Sequence, residues 1–179
     1  KYIINLMDSF VSEGYRQARL LAKSHYENFP VVSLFIKKAL RNDVAIVYWF
    51  ARTADDIADE GSSPAADKLK LLNRFELDFI RTIDGNPKNP LEAALLNTIN
   101  THRLSSNDFL NLISAFKQDL TVSRYESMDS LLDYCSRSAN PVGRIILDLH
   151  GIKDENLKLL SDKICTALQL TNFWQDVSV

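Results

Sequence analysis

Four acidic side chains lie within six positions of one another, at the end of an apolar stretch that contains no turn-forming residue. Asp55 and Asp59 are four residues apart, so they share one face of a helix. Arg52 and Tyr48 extend the same stripe towards the N-terminus. Like charges at this spacing repel each other, and the helix dipole disfavours anions at the C-terminal end. A bound cation would offset both effects, so this stripe is a candidate metal site.

A second polar stripe occurs near the end of the sequence. Gln169, Asn172 and Asp176 follow one another at three- and four-residue spacing. Two facing helices with carboxylate and amide oxygens would suit Mg²⁺, which also accepts phosphate oxygens of a substrate. Taken alone, the first motif could be an exposed acidic helix end paired with Arg52, and the second a polar seam between helices. The presence of both motifs favours the metal site.

The elements that must position these residues are predicted to be helices. Gly and Pro number five each among 179 residues, about half of their usual combined share of roughly 12%. Apolar residues recur at helical spacing, and no convincing alternating strand is present. We therefore predict an all-α bundle. The first two of these predicted helices run from a cap at Asn42 or Asp43 through Glu60, and from a Ser63 cap to about Ile83. Two more follow Pro90 and Ser106, and another runs from about Asp129 to a break at Asn140-Pro141. The last begins near Asp154 and carries an apolar stripe of Leu157, Leu160, Ile164 and Leu168.

Composition excludes several classes of function. The formal net charge is −2, with no long basic run, so nucleic acid is not an expected partner. Cys135 and Cys165 lie outside any metal-binding spacing and are expected to be buried, reduced thiols. No apolar run reaches the length of a membrane-spanning helix. These features predict a cytoplasmic protein.

The order and spacing of the motifs resemble the squalene/phytoene synthase family. The resemblance extends from about residue 25 to residue 177 and depends on the joint order of the motifs. The residues that carry it are His25-Tyr26-Glu27-Asn28-Phe29-Pro30, Tyr48 and Arg52 before Asp55-xxx-Asp59, Tyr134-Cys135, Ser138-Ala-Asn-Pro-Val-Gly143 and Asn172-xxx-Asp176. The first and last of these are most similar to the bacterial hopanoid-pathway branch, the hydroxysqualene synthases.

The resemblance implies roles for individual residues. Asp55, Asp59, Asn172 and Asp176 would hold Mg²⁺ ions that bridge a prenyl diphosphate. Tyr48 and Arg52 would contact the diphosphate and act with the aspartates in catalysis. The remaining substrate contacts would come from the pocket mouth, the diphosphate site and the isoprenoid channel: His25, Tyr26, Glu27 and Asn28 at the mouth, Gln169 at the diphosphate, and Phe29, Tyr134, Ala139 and Gly143 along the channel. Gln175 also belongs to this site, but it replaces the arginine of dehydrosqualene-forming relatives, which weakens an assignment to the carotenoid branch.

The resemblance also implies a reaction. The expected fold is an isoprenoid-synthase-type helical bundle, and the expected reaction converts presqualene diphosphate and water to hydroxysqualene and diphosphate. Mg²⁺ is the expected cofactor, and NADPH is not expected. A condensation of two prenyl diphosphates, such as farnesyl diphosphate, to presqualene diphosphate, squalene or phytoene is the alternative within the family.

The residues leave two further interpretations open. Asp55, Asp56 and Asp59 satisfy the DDxxD spacing of class I terpene cyclases and chain-elongating prenyl transferases, although Asn172 is not followed by the Ser/Thr and Glu of a cyclase motif. A non-catalytic helical scaffold with an acidic patch is the alternative from another class. The products formed, or an absence of Mg²⁺-dependent ligand binding, would distinguish these interpretations.

The extent of the chain and its location are further expectations. Residues 1–179 are predicted to form one helical domain, the N-terminal portion of the family's fold. Members of the family continue for roughly another hundred residues, so the bundle is expected to be incomplete at its C-terminus. Because the substrates are apolar, peripheral contact with the inner membrane is a hypothesis, and the sequence does not indicate an oligomeric state.

Overall fold

The computed structural model describes the backbone of residues 2–24 and 36–176, with side chains for residues 8–24 and 36–175. Within these ranges the protein is all-α and contains no strand, which confirms the predicted fold class. A 3₁₀ turn at Lys38–Leu40 precedes the second helix. The helices are α1 (Tyr2–Ser24), α2 (Arg41–Asp59), α3 (Ala65–Ile83), α4 (Pro90–His102), α5 (Ser106–Asp119), α6 (Met128–Ser138), α7 (Asn140–Leu149) and α8 (Glu155–Asp176).

Helix α2 lies at the centre of this arrangement and packs against α1, α3, α4, α5 and α7. Its inner face centres on Phe50, which is 1% exposed. The Phe50 ring lies 5.0 Å from each of the rings of Phe75, Phe79 and Phe109, measured between centroids. These aromatic side chains join α2, α3 and α5 into one core and fix the helix that carries the first acidic motif.

The start of α2 differs from the sequence prediction. Asn42 and Asp43 were expected to cap the helix, but the helix begins at Arg41 and Leu40 makes no side-chain cap. The preceding 3₁₀ turn continues directly into the helix, since the Arg41 backbone N–H donates a hydrogen bond to the Lys38 carbonyl. The Asp43 carboxylate instead accepts a 2.8 Å hydrogen bond from Thr98 of α4. The predicted cap at Ser63 is similarly displaced by one residue, to Pro64.

Helices α1 and α4 meet at unusually close range. A Cβ atom at Gly14 would overlap the backbone carbonyl of Pro90, so only glycine allows this approach. Beside it, the Tyr15 hydroxyl lies 2.8 Å from Thr98 Oγ1, and His102 Nε2 lies 3.3 Å from Asp43 Oδ2. This polar network ties α1, α2 and α4 together at the end of α2 opposite the acidic motif.

The second half of the chain is built on the break between α6 and α7. The backbone leaves the helix at Ala139, and Pro141 in the first turn of α7 lacks the N–H that would continue α6. The predicted break at Asn140-Pro141 is therefore confirmed. Helix α8 then packs against α6 and α7.

The inner face of α8 is more polar than its sequence pattern suggests. Asp162 accepts a 2.9 Å hydrogen bond from Arg144 of α7, and Thr166 donates one of 2.9 Å to Asn140. Leu170 and Phe173 continue this face towards the end of the helix. The apolar stripe identified from the sequence is exposed instead: Leu157 46%, Leu160 53%, Ile164 62% and Leu168 61%.

Candidate functional site

The C-terminal half of α2 presents the first acidic motif on the side away from the Phe50 core. Ala54 and Ala58 lie on the buried side at 0% and 4% exposure, and Asp55 is half-buried while Asp59 is exposed. Tyr48 and Arg52 are half-buried on the same stripe, as the spacing predicted. The local sequence therefore anchors the helix by small residues and leaves its carboxylates accessible.

Arg52 is the cation of this cluster. Its guanidinium lies 3.0 Å from Asp55 Oδ2, 2.6 Å from Asp56 Oδ1 and 3.4 Å from Glu60 Oε1. The ion-paired helix end considered from the sequence is thus present, but one guanidinium serves several carboxylates. Excess negative charge remains at the end of α2, which is the electrostatic condition for attracting a cation.

The protonation of Asp55 reflects this crowding. The pKa of the Asp55 carboxyl is raised by partial burial and by the negative charges of Asp59, Asp56 and Glu60. The positive charge of Arg52 opposes this shift only in part. The ionised form of Asp55 is therefore less favourable here than in water. A divalent cation beside Asp55 would reverse that preference, because it stabilises the ionised carboxylate.

Asp119, at the end of α5, joins this cluster and was not predicted from the sequence. Burial of its carboxyl group and the charges of Asp59 and Asp55 raise its pKa. The residue as a whole is exposed to solvent. Its position as an acid at a helix C-terminus, where the dipole disfavours anions, was the one available sequence signal.

Tyr134 of α6 packs against Phe173 of α8. Its side chain is buried. Burial and the Asp119 charge both raise the pKa of the Tyr134 phenol. The Tyr134 ring packs 5.3 Å from Tyr125 and 5.8 Å from Phe173, measured between ring centroids. We refer to Tyr125, Tyr134 and Phe173 as the aromatic cluster.

The second motif lies beside the aromatic cluster on α8. Phe173 belongs to that cluster, and the neighbouring Asn172 is exposed. Gln169 is half-buried one turn earlier, and Gln175 is exposed. Asp176 is the last residue of α8, and its side chain lies outside the described part of the chain. The second motif therefore lies on the helix whose Phe173 packs against Tyr134 of α6.

The donor set fits Mg²⁺ in type. Among the side chains that the structure describes, no three His, Cys, Asp or Glu residues form a group that could hold a metal alone. Mg²⁺ is commonly bound by only one or two carboxylates, with water and substrate phosphates completing its coordination. Asp55 and Asp59 supply such a pair, so the residues present suit an ion whose coordination is completed by water or phosphate oxygens.

Three further expectations have different outcomes. His25, Tyr26, Glu27, Asn28 and Phe29 lie outside the described residues. Ala139 is half-buried at the break before α7. A Cβ at Gly143 would meet the side chains of Ser161 and Cys165, so this glycine serves the close packing of α7 on α8. This close packing is sufficient to explain why residue 143 is a glycine. Its place along an isoprenoid channel stays a prediction.

The sequence and fold match known proteins. The family model described as squalene/phytoene synthase matches residues 22–179, which include both acidic motifs. The chain belongs to the squalene/phytoene synthase family. The resemblance identified from the motifs is thereby confirmed.

Two bacterial proteins illustrate this relationship. Hydroxysqualene synthase of Zymomonas mobilis is 40% identical over 163 residues, which cover 89% of this chain and 53% of that protein. Hydroxysqualene synthase of Rhodopseudomonas palustris is 38% identical over 151 residues, which cover 84% of this chain and 50% of that protein. The chain thus spans about half the length of these curated relatives.

A solved structure shares the fold of this squalene/phytoene synthase family member. The crystal structure of squalene synthase HpnC from Alicyclobacillus acidocaldarius superposes with a TM-score of 0.87 and 40% sequence identity. The match covers 93% of this chain and 62% of that chain. The predicted isoprenoid-synthase-type helical bundle is therefore confirmed. No helix in the described ranges combines the length and the apolar character needed to cross a bilayer.

Proposed function

We propose that the protein is a Mg²⁺-dependent hydroxysqualene synthase that converts presqualene diphosphate and water to hydroxysqualene and diphosphate. The observation that carries this proposal is the 40% identity to a hydroxysqualene synthase across 89% of the chain. The accessible carboxylates of Asp55 and Asp59 support it, because the reaction needs cations to neutralise a diphosphate leaving group.

The α2 face would bind the leaving group. Asp55 and Asp59, with Asn172 and Asp176 of α8, would hold the Mg²⁺, which supplies positive charge to the departing diphosphate oxygens. Arg52 would exchange part of its pairing with Asp55, Asp56 and Glu60 for the diphosphate, and Tyr48 would lie beside it. The exposed positions of Asp59 and Asn172 leave the motif accessible to a ligand of this size.

The aromatic cluster would shield the carbon skeleton. Departure of diphosphate leaves a cyclopropylcarbinyl cation, which aromatic faces stabilise and stray nucleophiles destroy. Tyr134, Tyr125 and Phe173 supply such faces next to the acidic motifs. Gln169 and the residues from His25 to Phe29 would supply further substrate contacts, as the family resemblance implies. Water must also reach the cation to give the alcohol.

Replacement of the first acidic pair tests the proposal. Asp55→Asn and Asp59→Asn should each abolish Mg²⁺-dependent release of diphosphate from presqualene diphosphate, because the amide loses the negative charge that binds the cation. Asp84→Asn is the matched control, since Asp84 is an exposed carboxylate at the end of α3. Circular dichroism should show folded protein in all three variants. Full activity in either α2 variant would contradict the metal role.

A second candidate is squalene synthesis, which the name of the Alicyclobacillus structure favours. Squalene formation from presqualene diphosphate requires a hydride, so it would depend on NADPH, whereas hydroxysqualene formation requires only water. Omission of NADPH therefore separates the two candidates.

Membrane contact at the cytoplasmic surface, proposed from the apolar substrate, would be tested by flotation of the protein with liposomes.

A further inference from the structure

The side chain of Gln118, in the last turn of α5, makes two hydrogen bonds at once. Its Oε1 accepts a 2.6 Å hydrogen bond from Arg137 of α6, and its Nε2 donates one of 3.3 Å to the hydroxyl of Tyr125. The guanidinium of arginine has donors and no acceptor, so the atom of Gln118 that faces it must be the carbonyl oxygen. Arg137 therefore turns the amide so that its NH₂ group points at Tyr125.

Arg137 is itself held by both helices. Its guanidinium donates a 2.6 Å hydrogen bond to Asp133 of α6 and one of 3.1 Å to Ser114 of α5. The side chain is 24% exposed, so these bonds are partly shielded from water. The orientation of the Gln118 amide is thus set by a guanidinium that has other partners, and those partners remain if Gln118 is replaced.

Tyr125 lies in the non-helical connection between α5 and α6. Gln118 also organises the start of this connection, since its backbone carbonyl accepts hydrogen bonds of 2.9 and 2.8 Å from the N–H groups of Thr121 and Val122. The half-buried Tyr125 ring packs 5.9 Å from Phe173 of α8, measured between centroids. Gln118 thus holds the connection at its start and, through its side chain, at the ring that contacts α8.

We propose that Gln118 is a positioning residue that holds the Tyr125 ring in the aromatic cluster, against the helix that carries the second motif. This inference rests on the proposed function, in which the aromatic cluster shields the carbon skeleton of the substrate. Phe173 directly follows Asn172 in α8, so the aromatic wall that Tyr125 helps to form lies beside the second motif. Without the bond from Gln118, the Tyr125 hydroxyl would turn to water and its ring would be free to leave this wall.

The alternative role for Gln118 is direct contact of its amide with the substrate diphosphate, and substitution by glutamate separates the two roles. Gln118→Glu keeps an acceptor for Arg137, and its second oxygen can accept the proton of the Tyr125 hydroxyl. Gln118→Met loses both hydrogen bonds at a similar side-chain length. A positioning role therefore predicts that Gln118→Glu retains most of the activity that Gln118→Met loses. Direct contact predicts that Gln118→Glu is the worse variant, because a negative charge replaces a donor.

The contact itself can be tested without any reaction. In protein labelled with ¹³C at the tyrosine Cζ atoms, the Tyr125 signal is the one missing from Tyr125→Phe. That signal should shift in Gln118→Met, because the phenol oxygen loses its donor. Gln17→Met is the matched control, since Gln17 donates a 2.8 Å hydrogen bond to Glu13 within α1, and it should leave the signal in place. An unshifted Tyr125 signal in Gln118→Met would overturn the inference whatever the activity measurements give.

The functional consequence is measured as diphosphate release from presqualene diphosphate with Mg²⁺. Gln118→Met should lower kcat about 10- to 100-fold, the cost of misplacing a group by about 1 Å. Tyr125→Phe should cause a similar loss, since it removes the hydroxyl that Gln118 holds. The double variant should lose almost nothing further, because both changes break one interaction.

Two activity results would overturn the positioning role. One is a double variant whose loss is the product of the two single losses, and the other is a Gln118→Glu variant that fails as severely as Gln118→Met. Failure of the proposed function would be distinguishable, since the wild-type protein would then release no diphosphate while the Tyr125 signal would still shift in Gln118→Met.

Discussion

At the residue scale, one of the two α2 carboxylates proposed to bind Mg²⁺ is also one that the folded protein stabilises poorly. Burial and the neighbouring acids raise the pKa of Asp55 despite the 3.0 Å contact with Arg52. A raised pKa means that the folded state binds the proton more tightly than the unfolded state. The stability contributed by this group is therefore present below its unfolded pKa and lost as the pH rises through the folded pKa.

The raised pKa of Asp55 predicts that removal of its negative charge increases the stability of the folded protein. At pH 7 without Mg²⁺, Asp55→Asn should raise the melting temperature by about 1–2 °C, as expected for a partly exposed charge worth less than about 1 kcal/mol. Arg52 keeps Asp56 and Glu60 as partners in this variant. Differential scanning calorimetry, with Asp84→Asn as the control, measures the effect. A fall in the melting temperature would show that the Arg52–Asp55 pair outweighs the acidic crowding.

At the element scale, local sequence signals predicted the helices that pack through a single apolar face of their own. Phe109, Leu112 and Ile113 stand at helical spacing in the segment after Ser106, and all three are buried in α5. The cap of α2 was predicted wrongly because Asp43 is engaged by α4, a contact between distant parts of the chain. Asp119 was missed for the same reason, since its nearness to Asp55 and Asp59 depends on how α5 packs against α2.

The contact of α1 with α4 gives a prediction about packing. Gly14→Ala should gain up to about 1 kcal/mol in helix propensity, but its Cβ would overlap the Pro90 backbone carbonyl, which cannot rotate away. Overpacking of this kind costs about 1–3 kcal/mol, so the variant should be destabilised overall. Urea unfolding measures the difference, and Ser12→Ala at an exposed position of α1 is the control. A Gly14→Ala variant as stable as the wild type would show that the helices can separate without cost.

At the scale of the whole molecule, α2 packs against α5, and Phe173 of α8 packs against Tyr134 of α6. The sequence predicted both acidic motifs, their helices and the family. It could not predict the contacts between those helices, because helical spacing describes one element at a time. The metal-binding roles of Asp55 and Asp59 in this member of the squalene/phytoene synthase family are proposals that their asparagine variants test.

The most direct test incubates the purified protein with presqualene diphosphate and Mg²⁺, without NADPH, and identifies the products by mass spectrometry. We predict hydroxysqualene together with one diphosphate for each substrate molecule, and loss of both products when EDTA removes the cation. Squalene that appears only when NADPH is added, a cyclised hydrocarbon, or no Mg²⁺-dependent release of diphosphate would each contradict the proposed function.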